Sequence, residues 1–207
     1  MNTRHRVVED YYRKRHFDFW SAYQNPFYAA TFHLDATRLK AFTDARGYSI
    51  YVNLCYFMTR ALRGIEDFRY RLVDGRIVLY EEIHPGLTLP APDGLFTFAY
   101  FEYDDDVAAF NERAREVAAT ARRGVDLGES EHRNWVFFTA LPKVPFTSFT
   151  HATRSPDDTE PQVAFGRFSE RGGRLLVPVG LQVNHRLIDG RALGEAVEGT
   201  QRELDAA

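Results

Sequence analysis

Near the C-terminal end of the chain stands His185-Arg-Leu-Ile-Asp189-Gly190. It follows a long apolar run, Arg174 to Asn184, and precedes a segment with Leu193, Ala196, Val197 and Leu204 at helical spacing. A histidine between a strand and a helix can present one ring nitrogen to a cleft while backbone or carboxylate holds the other. An imidazole fixed in one tautomer is a suitable general base near neutral pH. Asp189 could orient that ring, cap the following helix, or pair with an arginine elsewhere. Gly190 permits a sharp turn or a close backbone approach. The spacing alone does not decide among these, because a shuffled chain of this composition carries His-x-x-x-Asp-Gly in roughly 3% of cases. A strand-end histidine beside a capping aspartate fits the same six residues.

Other reactive types are sparse. Cys55 is the only cysteine, which excludes an intramolecular disulfide and a cysteine-based zinc site. It lies in a mostly apolar run, Asn53 to Leu62, where core packing is expected of it. His5, His16, His33, His84, His132 and His151 show no close metal spacing, so no metal is expected. Asp104, Asp105 and Asp106 precede an amphipathic run and suit the positive end of a helix. There is no Gly-rich phosphate loop.

The 207 residues suit one large domain, and no composition break divides them. With 26 basic and 29 acidic residues the net charge is −3, which gives no field for nucleic acid or an anionic membrane. No apolar run approaches the roughly 20 residues of a membrane helix, and the charged N-terminus lacks a signal-peptide core. A cytoplasmic location is expected. Aromatics reach 14%, enough to fill a core and still line an apolar pocket.

These residues need a scaffold to position them. Residues 21–34 read as extended, with Asn25-Pro26 as a break. Asp35 reads as a helix N-cap ahead of Leu39, Phe42 and Ala45, with Gly47 as the stop. Asn53 to Leu62 reads as a buried helix. Asp74-Gly75 between two β-rich arms, Tyr70 to Tyr80, predicts a hairpin. The Pro-rich stretch from His84 to Gly94 reads as a loop, and Leu95 to Tyr103 as a strand. A helix is expected after Asp106, through Phe110, Ala114 and Val117, and then a polar connection over 123–133. Asn134 to Leu141 is a strand. Gln162 to Phe168 and Arg174 to Asn184 are strands joined through Arg171-Gly172-Gly173. The order predicts an α+β fold: a two-layer α/β sandwich on a mixed, mainly antiparallel sheet, in a single domain over 1–207.

The His-x-x-x-Asp-Gly motif resembles that of the CoA-dependent acyltransferase superfamily, and three further stretches resemble the chloramphenicol acetyltransferases within it. These are Arg13-Lys-Arg-His-Phe17-Asp-Phe19-Trp20, Asn134 to Pro142 followed by Phe146-Thr147-Ser148-Phe149, and the paired strands Gln162–Phe168 and Arg174–His185. They occur in the family's order over residues 6 to 204. The resemblance implies an acetyl-CoA-dependent O-acetyltransferase, chloramphenicol being the first acceptor to consider. It implies a homotrimer with acetyl-CoA and acceptor entering a channel at each subunit interface. His185 would be the general base and Ser148 the donor to the tetrahedral oxyanion. Asp189 would pair with Arg13. Phe168 would lie against the CoA adenine and Arg167 near a phosphate. Phe19, Trp20, Gln24, Tyr28, Phe96 and Phe98 would line the acceptor pocket. No permanently bound cofactor is implied. The chain departs from the family at Asn184, Arg186 and Ala164. Asn-His-Arg is closer to the 2-oxo acid dehydrogenase acyltransferases, and Ala164 stands where a threonine is usual. An acyltransferase for a natural-product alcohol or for lipoyl- or carrier-bound groups, and a non-catalytic ligand-binding trimer, are the alternatives.

Overall fold

A computed structural model describes residues 1–128 and 130–207, with Asp93 described by its backbone only. The chain runs β1 (His5–Val7), α1 (Lys14–Ser21), β2 (Phe27–Asp35), α2 (Thr37–Arg46), α3 (Ile50–Arg63), β3 (Tyr70–Val73), β4 (Arg76–Tyr80), β5 (His84–Pro90) and β6 (Phe96–Tyr100). It continues through α4 (Val107–Ala121), β7 (Trp135–Ala140), β8 (Gln162–Phe165), β9 (Ser169–Arg171), β10 (Arg174–Asn184) and α5 (Gly190–Asp205).

The main sheet has the order β2-β10-β8-β7-β5-β6, and β9 pairs with β10. The β5–β7 and β7–β8 pairs are parallel; the others in this sheet are antiparallel. A small antiparallel sheet, β1-β4-β3, stands apart. The α+β fold with a mixed sheet is thus the one expected. Along β10, the alternation of the strand puts Val177, Val179, Leu181 and Val183 into the core, each at most 1% exposed. Against them pack Leu54, Met58 and Leu62 of α3 and Ala192, Ala196 and Leu204 of α5. A Cβ on Gly199 of α5 would stand 3.5 Å from Ala61 Cβ on α3, so the two helices pack closely there. Asn53 and Asn111 exchange two side-chain hydrogen bonds at 2.9 and 3.0 Å, so the one buried amide on α3 and the one on α4 satisfy each other.

The Asp74-Gly75 turn is a hairpin with both residues at positive φ, 48° and 73°, as a primed turn requires. Ser49 caps α3, and Asp106 caps α4 by accepting from the Ala108 N–H at 2.8 Å. Cys55 is buried in α3, and burial pushes its thiol well up.

Three expectations are corrected. His84 to Pro90 is not a loop but strand β5, hydrogen-bonded between β7 and β6. Pro85 is tolerated there because its carbonyl stays in the ladder, accepting from Phe101 N at 3.0 Å, just where β6 has ended. Asp35 is not the N-cap of α2: Ala36 holds that place, and Asp35 from the end of β2 accepts from the Thr37 backbone and hydroxyl. The strand expected over Gln162 to Phe168 stops at Phe165, and the hairpin through Gly172-Gly173 is made by β9, not β8.

Candidate active site

His185 is the first residue beyond β10. Its backbone N–H donates to Pro26 O at 2.8 Å, which ties the end of β10 to the start of β2. Its ring lies flat against Trp20 from α1, centroids 4.3 Å apart and planes at 16°, and 4.5 Å from the ring of Tyr28 on β2. Nδ1 is buried without a hydrogen-bond partner, so the two aromatic rings fix the imidazole plane. Nε2 is not among the buried unpartnered atoms and has no hydrogen bond among the described residues, which leaves it as the nitrogen open to a ligand.

The residues on either side of His185 are both buried and both grip the same segment. Asn184 donates to Pro156 O and Asp158 O at 2.8 and 2.9 Å. Arg186 pairs with Asp157 at 2.9 Å, bonds Pro156 O and lies over the Phe17 ring. Asn184 Oδ1 accepts from the Arg186 backbone, closing the turn. The two departures from the family pattern therefore form one clamp.

Asp189 does two of the three things open to it. It caps α5 by accepting from Ala192 N at 3.0 Å, and it pairs with Arg13 at 3.7 Å. Arg13 is 7% exposed and also donates to Leu187 O at 3.0 Å. Burial raises the Asp189 carboxyl, but the Ala192 N–H and the Arg13 charge outweigh it and hold it below the usual carboxylate range. Burial, with the Asp189 charge behind it, pushes the Tyr28 phenol up to about 12.

Phe19, 57% exposed, and Tyr23 extend the aromatic surface beside Trp20, and Gln24 is exposed at the end of the same segment. The other expected site residues lie elsewhere in the protomer. Phe96 and Phe98 sit on β6, four strands from β10, about 19 Å at ordinary strand spacing. Ser148 is exposed on the crossing 144–151. Phe146 and Phe149 press that crossing onto Gly166 and Gly180, and His151 exchanges backbone bonds with the Gln182 side chain. Gly180 lies five residues before His185, and among the described residues no hydrogen bond or ring contact joins Ser148 to His185.

Phe168 packs 5.4 Å from Tyr51 in the first turn of α3, and the Tyr51 hydroxyl donates to Gly166 O at 3.3 Å. Arg167 is exposed, and its backbone joins this pair to the Ser148 crossing through Val144 O. Sequence reasoning did not single out Tyr51, an aromatic two residues after the Ser49 N-cap. Two groups of residues result within the chain: His185, Trp20, Tyr28, Phe19, Arg13 and Asp189 around the end of β10, and Ser148, Phe168, Arg167 and Tyr51 around Gly166 and the start of α3, with Phe96 and Phe98 on the edge strand β6. Among the described residues no His, Cys, Asp and Glu cluster has metal-site geometry, and no helix is long and apolar enough to cross a membrane.

The longest strand of the mixed sheet thus ends at a histidine held between two aromatic rings. A dihydrolipoamide acetyltransferase from Azotobacter vinelandii shares the fold, with a TM-score of 0.69 and 18% identity, covering 92% of this chain and 86% of that one. A solved chloramphenicol acetyltransferase matches with a TM-score of 0.91 and 26% identity, covering 97% of this chain and all of that one. The chloramphenicol acetyltransferase of Bacillus pumilus is 28% identical over 197 residues, 93% of this chain and 89% of its own. The family model for chloramphenicol acetyltransferase matches residues 1–201. The chain belongs to the chloramphenicol acetyltransferase family and is an O-acyltransferase of the CoA-dependent kind.

Proposed function

We propose that the protein transfers the acetyl group of acetyl-CoA to a hydroxyl of a small amphipathic acceptor, with chloramphenicol the first candidate, by direct transfer at a site between two protomers of a homotrimer. The observation that carries this reading is His185: an imidazole with Nε2 open and its plane fixed by Trp20 and Tyr28. Nε2 takes the proton of the acceptor hydroxyl as its oxygen attacks the thioester carbonyl. The tetrahedral oxyanion accepts a hydrogen bond from Ser148 of the neighbouring copy. Collapse breaks the C–S bond, and the imidazolium returns its proton to the departing thiolate. Phe168, Tyr51 and Arg167 receive the nucleotide end of CoA; Phe19, Trp20, Gln24 and Tyr28, with Phe96 and Phe98 from the partner edge, receive the acceptor. The place of Phe96 and Phe98 on the far edge of the sheet, about 19 Å from β10, and of Ser148 on the segment over Gly166 and Gly180 supports a shared site.

Thiol release from acetyl-CoA, followed with chloramphenicol and with a panel of natural-product alcohols, tests the assignment. His185→Ala is expected to lower turnover by about 10²–10⁴ while leaving CoA binding intact. Full turnover in that variant would remove His185 from the role of base. One observation favours an acceptor other than chloramphenicol. Ala164 is fully buried beside Gly180, under the Ser148 crossing, and offers no hydroxyl there. Turnover with another alcohol and none with chloramphenicol would decide for that second reading.

A further inference from the structure

Beyond the aromatic pair of Tyr51 and Phe168 lies a feature with no part in the chemistry at His185. Arg115 on α4 and Arg122, the C-cap residue of that helix, stand seven residues apart, two helical turns along one face. With Tyr48, Ser49 and Val52 from the start of α3, and Asn111, they line a groove of about 270 Å³. No Asp or Glu lines it. Among the described residues neither guanidinium has an ion pair or a hydrogen bond, and Arg115 meets only the Tyr48 ring, 5.5 Å from its centroid. Their neighbours on α3 and α4 are paired with carboxylates: Arg60 with Glu203, Arg63 with Glu82 and Arg113 with Asp104. Two uncompensated guanidiniums facing a groove without carboxylates make a site for a multiply charged anion.

The position of the groove says which anion. Tyr51 lies between the lining residues Ser49 and Val52, so the groove and the Tyr51–Phe168 pair flank the same turn of α3. In CoA the 3′-phosphate hangs from the ribose that carries the adenine, whereas the diphosphate leads away toward the thiol. An adenine against Phe168 therefore sets the 3′-phosphate one sugar away, beside α3. We propose that Arg115 and Arg122 bind the 3′-phosphate of CoA and make the protein select CoA over 3′-dephospho-CoA. This rests on the reading of Phe168 as the adenine contact. A phosphate monoester carries about two negative charges at neutral pH, matched by the two guanidiniums.

Calorimetric titration of the intact protein with CoA and with 3′-dephospho-CoA tests the assignment. The native protein is expected to bind CoA about tenfold tighter than the dephospho form, a preference that shrinks with added salt. Arg115→Gln/Arg122→Gln is expected to bind the two alike, at the native affinity for 3′-dephospho-CoA. Arg123→Gln loses the same charge off the groove and is expected to keep the preference. All three side chains are exposed, and thermal melts check that each variant folds. An unchanged preference in the double variant, an equal loss in Arg123→Gln, or equal native affinity for the two nucleotides would overturn the proposal and leave the acetyl-CoA reading standing. No binding of either nucleotide to the native protein would overturn both.

Discussion

The imidazole of His185 is held by ring faces, and its neighbours by charge. Arg13 is the residue that links these two supports, because it reaches from the start of α1 to both Leu187 O and Asp189. Arg13→Ala leaves that carbonyl and a partly buried carboxylate without their donor. We expect a loss of about 1–3 kcal/mol in urea unfolding, with kcat reduced and the KM for acetyl-CoA unchanged. Asp189→Asn separates the two duties of the aspartate. Asparagine still caps α5, so the helix survives, but the pair with Arg13 is gone. The Asp189 carboxyl is held below its ordinary value, so its contribution is present above about pH 4 and is lost as pH falls through the folded value. Asp189→Asn should therefore be less stable than the native protein at neutral pH and level with it in acid. Equal destabilisation at both pH values would show that the pair is not the cause.

At the scale of elements, the crossing that carries Ser148 depends on two glycines. A Cβ on Gly166 would stand 2.7 Å from Pro178 Cγ and 2.9 Å from both the Phe146 ring and Val144 O. One on Gly180 would stand 3.1 Å from Phe149 Cβ. Neither glycine has a positive φ, so the demand is for space alone. Gly166→Ala forces the backbone at Val144 to move, and we expect about 1–3 kcal/mol of destabilisation with a larger loss in kcat than in CoA affinity. Gly180→Ala meets a side-chain carbon and should cost less. If Gly166→Ala melts and turns over like the native protein, the close packing is not what positions Ser148. The same elements mark how far the sequence could be read. Patterns carried by neighbours in the chain were legible: the Asp-Gly hairpin, the helix after Asp106, and the long strand that ends at His185. The strand at His84 was hidden, because two prolines and a glycine argue locally for a loop, and only the flanking strands β6 and β7 override them. The Asn184–Arg186 clamp on 156–158 was illegible for the same reason. Its partners lie almost thirty residues away, and nothing local distinguishes a buried arginine from a solvated one. The site residues themselves were found through ordered motifs, but which of them meet within one chain was not written in that order.

The whole molecule has an acid weakness of its own. His151 ends the crossing with Nε2 buried and unpartnered, and burial pushes its pKa from 6.5 to about 4. Between those values the unfolded chain takes up a proton that the folded one refuses, so stability falls as pH drops through that window. His151→Phe should flatten the slope of unfolding free energy between about pH 6.5 and 4, and an unaltered slope would place the titration elsewhere. The central claim, however, concerns assembly. No contact among the described residues joins His185 to Ser148 within one chain, and on the function proposed above two copies build one reaction site. Co-assembly of His185→Ala and Ser148→Ala subunits measures this directly. Each parent is expected to be impaired. If the histidine of one copy faces the serine of the next, a random equal mixture rebuilds native pairs at about a quarter of the sites. Roughly a quarter of native turnover is expected to return in mixed assemblies refolded together. Turnover no higher than the mean of the two parents would contradict it.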